Sequence, residues 1–210
     1  MKRALTTQNL FDIKHDVFEL EGIWKKAMGE PERHGSWMIW GREKNGKTWF
    51  ALLLAQMLSG ILKVHYISAE EGTGKAFVDS LRRARINPFN EQIQWQRYES
   101  IETLYVRLKK RGAPKIVVID NITVYTKELN NGKYEKLLKD FPDVLFIFLA
   151  HEEKGEPYTA SAKLVKKLSK LIFYVEGLTV SVSGRVEGCK LTIDEERAAL
   201  IYGQKTMNAI

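Results

Sequence analysis

Apolar residues in this chain fall in short unbroken runs separated by amphipathic stretches, the alternation expected of buried parallel strands linked by helices. The runs Trp37-Met38-Ile39-Trp40, Val64-His65-Tyr66-Ile67-Ser68-Ala69, Lys115-Ile116-Val117-Val118-Ile119-Asp120 and Val144-Leu145-Phe146-Ile147-Phe148-Leu149-Ala150 predict strands covered on both faces. Between and around them, Trp49 to Ala55, Phe77 to Ala84, Ile101 to Lys110 and Tyr134 to Phe141 read as helices. Gly112 and Pro114 end the third of these, and Pro142 stops the fourth. Ile93-Gln94-Trp95-Gln96 predicts a further short strand. Beyond about residue 171 the pattern changes. Leu171 to Val175, Leu178 to Val182, Lys190 to Ile193 and Ala198 to Tyr202 predict short strands, with turns at Gly177, Gly184 to Gly188 and Asp194 to Glu196. These are expected to extend the sheet in antiparallel fashion. Residues 1–34 read as a lead-in segment and 35–210 as one α/β domain, with a mostly parallel central sheet flanked by helices.

The turn between the first strand and the first helix of that domain carries chemistry. Gly41-Arg42-Glu43-Lys44-Asn45-Gly46-Lys47-Thr48 fills every fixed position of G-x-x-x-x-G-K-[ST], with a buried strand before it and Trp49 opening a helix after it. Glycines at 41 and 46 let the loop curl so that its backbone N–H groups converge, and the helix N-terminus adds positive potential for phosphate oxygens. Lys47 is placed to neutralise β- and γ-phosphates and the Thr48 hydroxyl to ligate Mg²⁺. The chain is therefore expected to bind a nucleoside triphosphate. Gly72-Thr73-Gly74-Lys75 imitates the pattern, but Ala69 stands at the first-glycine position and Ala76 where the hydroxyl belongs.

Ligands of open α/β sheets bind beyond the carboxyl ends of the strands, so polar residues there are candidates. Asp120 closes the run from Ile116 to Ile119 and fits a carboxylate that holds Mg²⁺ through its water shell. Glu70 and Glu71 follow the second strand, where a carboxylate can orient and deprotonate an attacking water. His151 ends the strand after Asp120's, within reach of a γ-phosphate.

Composition narrows the partners. At 210 residues, 44% hydrophobic and 28% charged, the chain suits one soluble domain able to bury roughly 70% of its unfolded surface. No apolar run approaches the ~20 residues of a membrane span, and the N-terminus lacks the apolar core of a signal peptide. The single cysteine, Cys189, has no internal disulfide partner, and no Cys/His cluster has metal-ligand spacing. A cytoplasmic protein with no membrane association is expected. The net charge of +7 points to a polyanion only if basic residues cluster. Lys163, Lys166, Lys167 and Lys170 do so, recurring at helical spacing opposite Leu164, Leu168 and Leu171, behind a polar stretch from Glu152 to Ala160 that contains Lys154 and Tyr158. Such a stripe can track phosphates and Tyr158 can stack on a base, so single-stranded DNA is the expected partner.

Taken in order, these landmarks resemble the RecA-like ATPases, the superfamily of recombinases, hexameric replicative helicases and compact phage or plasmid ATPases, over about residues 33 to 203. The resemblance implies a RecA-like fold, ATP as the nucleotide, Mg²⁺-dependent hydrolysis and assembly into a homo-oligomeric ring or filament. It favours Glu70 over Glu71 as the base, since Tyr66-Ile67-Ser68-Ala69-Glu70 matches the family's catalytic glutamate. It matches Asp120 to the metal aspartate and His151 to the polar sensor. It assigns a DNA-binding loop to the segment after His151. The tail Ser181 to Gly188 looks like a basic element directed at phosphate, with Arg185 as its finger, although Ser183 stands where a Lys-x-Arg pair would have lysine. The compact phage-type annealing and recombination proteins are the nearest likeness by pattern. Two other classes remain open: a P-loop kinase of nucleotides or metabolites, and a nucleotide-dependent assembly switch without turnover.

Overall fold

The computed structural model describes residues 4–194. The strand predicted over Ala198 to Tyr202 lies outside the described residues. Two helices come first, α1 (Thr7–Phe11) and α2 (Gly22–Met28), and then β1 (Gly35–Gly41) feeds α3 (Lys47–Ser59) through the glycine-rich loop. There follow β2 (Val64–Ser68), α4 (Lys75–Arg83), β3 (Ile93–Gln96), α5 (Ile101–Leu108) and β4 (Ile116–Asp120). A 3-10 turn, Ile122–Tyr125, leads into α6 (Thr126–Leu129) and α7 (Lys133–Asp140), then β5 (Leu145–Glu153), β6 (Glu156–Pro157) and α8 (Ala160–Leu168). The described chain closes with β7 (Leu171–Glu176), β8 (Thr179–Gly184) and β9 (Cys189–Thr192).

The strands lie in the order β3-β2-β4-β5-β1-β7-β8-β9. Every neighbouring pair from β3 to β7 is parallel, the β7–β8 and β8–β9 pairs are antiparallel, and the short β6 pairs antiparallel with β5 off this path. This corrects the expectation for the first C-terminal strand: Leu171 pairs in parallel with Trp37, because α8 carries the chain back to the start of the sheet before β7 begins. Strand β5 sits between β1 and β4, in register from Gly35↔Leu145 to Gly41↔His151. On the far side of β4, Ser68 faces Asp120. The register alone therefore sets the ends of β1, β2, β4 and β5 along one edge of the sheet, the edge where an open α/β sheet takes its ligand.

Alternation along the strands builds two cores. Trp37 and Ile39 of β1 face α3, joining Phe50, Leu54 and Leu58, while Met38 and Trp40 face the layer of α5, α7 and α8 with Leu104, Leu137 and Val165. The N-terminal segment packs against the domain. Phe18 and Met28 are fully buried in the α3 core, Phe18 stands edge-on to Trp37 at 5.8 Å, and Val17 bridges to Glu32. Each such buried side chain contributes about 1.5–3 kcal/mol, which ties residues 17–34 to the domain. Among the described residues no helix is long and apolar enough to cross a membrane.

Candidate functional site

The loop from Gly41 to Thr48 takes its shape from the close approach of the C-terminal strands. A Cβ on Gly41 would lie 2.1 Å from the Val175 carbonyl oxygen, so β7 passes too near for any side chain there. Gly46 has φ +96°, and the Leu178 side chain lies over it, 2.7 Å from where a Cβ would be. Asn45 fastens the loop to the turn between β7 and β8: its Oδ1 accepts from Gly177 N at 2.8 Å and its carbonyl from Leu178 N at 3.2 Å. Lys47 opens α3, is only 7% exposed, and donates to the Arg42 carbonyl at 2.7 Å. Burial lowers its pKa, and the carboxylates of Asp120, Glu43, Glu70 and Glu152 oppose that shift. An ammonium in that balance is set to be neutralised by an incoming polyanion.

One turn of helix places Thr48 against the end of β4. Its hydroxyl donates to Asp120 Oδ2 at 3.1 Å, and the hydroxyl of fully buried Tyr66 donates to the same oxygen at 2.9 Å. Burial pushes the Asp120 carboxyl up to about 6, against the pull of these two hydrogen bonds, and the charges of Glu71 and Glu70 push it further. A cation beside it would reverse that shift. The pair of hard oxygen donors suits Mg²⁺, which keeps several waters and shares its shell with phosphate oxygens. The residues present therefore fit a Mg²⁺–triphosphate: Thr48 and Asp120 would hold the metal, and the loop amides and Lys47 the phosphates.

Beside this corner, Glu70 is held from two directions. Asn121 donates through Nδ2 to Glu70 Oε2 at 3.0 Å, and its amide is oriented by Thr123, whose N–H and hydroxyl both donate to Asn121 Oδ1 at 3.0 Å. His151 Nε2 reaches the same Glu70 oxygen at 3.0 Å, while its Nδ1 is buried without a partner. A carboxylate acceptor at Nε2 puts the imidazole proton there. Desolvation pushes the Glu70 pKa up, but the bonds from Asn121 and His151 and the charges of His151 and Lys47 outweigh it, and the net direction is downward. Glu70 thus stays ionised and able to accept a proton. Glu71 lines the same cavity without any such hold.

The cavity enclosed by these groups measures about 840 Å³ and brings together Lys47, Thr48, Glu70, Asp120 and His151. Sequence reading missed Tyr66, Asn121 and Arg83. Tyr66 hides inside an apolar run, where a lone hydroxyl was the available signal. Asn121 adjoins Asp120 across a cis peptide bond. Arg83 comes from α4 and sits over the Trp49 ring, 5.9 Å from its centroid.

Other predicted residues do not converge here. Strand β8 runs antiparallel to β7, with Gly184 opposite Leu171, so Arg185 emerges at the end of the sheet away from the phosphate loop, beside Lys170 and Glu32. It does not reach this chain's own cavity. The stretch after His151 is a hairpin rather than a loose loop: β5 runs on to Glu153, turns at Lys154-Gly155, and pairs with β6. The lysine stripe is broken too. Helix α8 ends at Leu168, leaving Lys170 off the helix and paired with Glu32. Lys166 lies on the Trp40 ring, 3.8 Å from its centroid, and bonds Glu156 at 3.2 Å. Lys163 and Lys167 are exposed, and Tyr158 is 57% exposed. Tyr158 donates its N–H to the His151 carbonyl at 2.9 Å, so the hairpin is wired to the site by its backbone.

The strand order, parallel through β7 with antiparallel strands at the C-terminal edge, is that of a RecA-like α/β fold. A solved structure of that fold is the crystal structure of the flagellar accessory protein FlaH from Methanocaldococcus jannaschii. It matches with a TM-score of 0.61 at 14% identity, over 86% of this chain and 96% of that chain. No protein-family model matches the sequence, and no curated protein does.

Proposed function

We propose that this protein is a Mg²⁺-dependent ATPase. The observation that carries this reading is the joint placement of Thr48 with Asp120 and of Glu70 with His151 across one cavity, on either side of Lys47. Mg²⁺, when bound, withdraws charge from the phosphates. The chain's own groups do the rest. Loop amides and Lys47 hold the triphosphate in place. Glu70, kept ionised and aimed by Asn121, takes the proton of the attacking water, and His151 registers loss of the terminal phosphate through its bond to Glu70. The acid after β2 and the histidine on β5 favour water over a metabolite as the acceptor.

The test is nucleotide binding and phosphate release on Mg²⁺–ATP. Lys47→Ala should lose binding, whereas Glu70→Gln should bind like wild type and turn over roughly 10²- to 10⁴-fold more slowly. Wild-type turnover in Glu70→Gln would refute the assignment of the base. If wild-type protein binds ATP tightly and releases no phosphate under any condition, the nucleotide serves as an assembly switch instead.

We further propose single-stranded DNA as the partner and a homo-oligomer as the working form. Support comes from Lys154, Lys163 and Lys167 and the ring of Tyr158 beside a hairpin bonded to His151. The fold alone does not choose the partner, since the archaeal match carries it in a flagellar accessory protein. Binding should fall with salt at a log–log slope of roughly −0.7 per phosphate contact, and Lys163→Gln with Lys167→Gln should flatten it. An unchanged slope would remove DNA from this surface.

A further inference from the structure

Two hydroxyls meet the carboxylate that ends β4, and only one of them comes from the phosphate loop. Thr48 and Tyr66 both donate to Asp120 Oδ2, at 3.1 and 2.9 Å, which leaves Oδ1 for the water shell of a cation. Thr48 keeps lone pairs while it donates, so it can serve the carboxylate and a cation together. Tyr66 is fully buried and serves the carboxylate alone. Its reach depends on the sheet. Tyr66 stands opposite Val118 in the β2–β4 register, so Asp120 lies two residues further along the same face, the face toward α3. A phenol spans that diagonal, and the short hydroxyl of a serine or threonine would not. From the other side the ring is pinned by Trp95 of β3, centroids 5.3 Å apart, and by Phe77 of α4 at 5.8 Å. Those two rings meet edge-on at 5.7 Å, a packing that fixes orientation as well as burying area. A charge-assisted hydrogen bond from so fixed a donor sets which way the carboxylate faces.

We infer that Tyr66 is a positioning residue for the divalent cation, holding the Asp120 carboxylate in the orientation that takes Mg²⁺ together with the triphosphate. The inference rests on the Mg²⁺–triphosphate reading of the cavity and deepens it. It makes metal affinity depend on aromatic packing in β3 and α4, outside the phosphate loop. Partners that hydrogen-bond a metal's ligands commonly control its affinity by roughly 10- to 100-fold without touching the metal.

The experiment is titration calorimetry of the full chain with the non-hydrolysable analogue AMP-PNP, once in EDTA and once in Mg²⁺. The ratio of the two affinities is the gain that the metal brings, and it needs no turnover. Tyr66→Phe keeps the ring and loses the hydroxyl. It should cut that gain by about tenfold while leaving the EDTA affinity within about twofold of wild type. In phosphate release, the Mg²⁺ needed for half-maximal rate should rise by about tenfold, with kcat at saturating Mg²⁺ within about threefold. Tyr125→Phe is the control. It removes an equally buried hydroxyl, one that donates to the Glu99 carbonyl at 2.8 Å, and should leave the gain unchanged. A wild-type gain in Tyr66→Phe would overturn the positioning role and leave the phosphate site standing. So would equal weakening in EDTA and in Mg²⁺, or the same loss in Tyr125→Phe. If wild type binds the analogue no better in Mg²⁺ than in EDTA, the metal reading itself fails and this inference falls with it.

Discussion

Replacing Asp120 by asparagine should make the protein more stable while removing the Mg²⁺-dependent turnover proposed above. The wild-type carboxyl is buried and held at about 6, against about 3.9 in an unfolded chain. At pH 7.5 the folded state must keep that group ionised, a cost of about 3 kcal/mol at 1.36 kcal/mol for each tenfold change in proton affinity. Asparagine bears no such cost, and its carbonyl oxygen still accepts from Thr48 and Tyr66, which both address one oxygen in the wild type. A gain of about 1–3 kcal/mol is expected, or roughly 2–10 °C in Tm for a chain of this length. The sign with pH follows from the raised value. The folded state takes up the proton first, so wild-type stability climbs as pH falls from above 6 toward 4, and the advantage of the variant shrinks over that window. The assay is urea unfolding of both proteins without divalent cation at pH 7.5, 6 and 5. A variant no more stable than wild type at pH 7.5, or a difference independent of pH, would refute the reasoning. Added Mg²⁺–ATP should stabilise the wild type and not the variant.

Two further substitutions separate packing from chemistry. Gly41→Ala drives a Cβ into the Val175 carbonyl and should cost about 1–3 kcal/mol with loss of nucleotide binding, whereas Gly46→Ala meets the movable tips of Leu178 and Ile193 and bears the backbone strain of φ +96°, and should be milder; urea midpoints rank them. Glu99 is buried, with Arg107 Nη2 at 2.8 Å and His65 Nε2 at 2.7 Å, so Glu99→Ala should destabilise by about 3 kcal/mol without altering the nucleotide affinity of the folded protein. Burial raises the Glu99 pKa, but Arg107 and His65 lower it more, so this contribution is present above the ordinary glutamate range and disappears as pH falls through the depressed value.

Much of the sheet was legible because buried parallel strands are apolar throughout: β1, β2, β4 and β5 fall within a residue or two of the runs that announced them, apart from the polar extension of β5 to Glu153. The glycines at 41 and 46 likewise marked the turn between β1 and α3. What stayed hidden depends on contacts distant in sequence. Nothing local says that Leu171 pairs in parallel with Trp37, or that antiparallel β8 carries Arg185 to the far end of the sheet. Helical spacing placed four lysines on one stripe, but it carries no information about Glu32 and the Trp40 ring, which remove Lys170 and Lys166 from it. Tyr66 was concealed for a related reason, since a hydroxyl in a strand reveals its role only when the opposing carboxylate is known.

The fastening of Asn45 to Gly177 and Leu178 bears on how fast a nucleotide can enter. A glycine-rich loop free in solution would lose about 1–2 kcal/mol of backbone entropy for each residue it orders around a ligand. Here the β7–β8 turn has already collected that cost during folding. Capture then asks little more than a swing of Lys47 from the Arg42 carbonyl, so association should follow a single encounter-limited phase, and differences in affinity among nucleotides should reside in how slowly they leave.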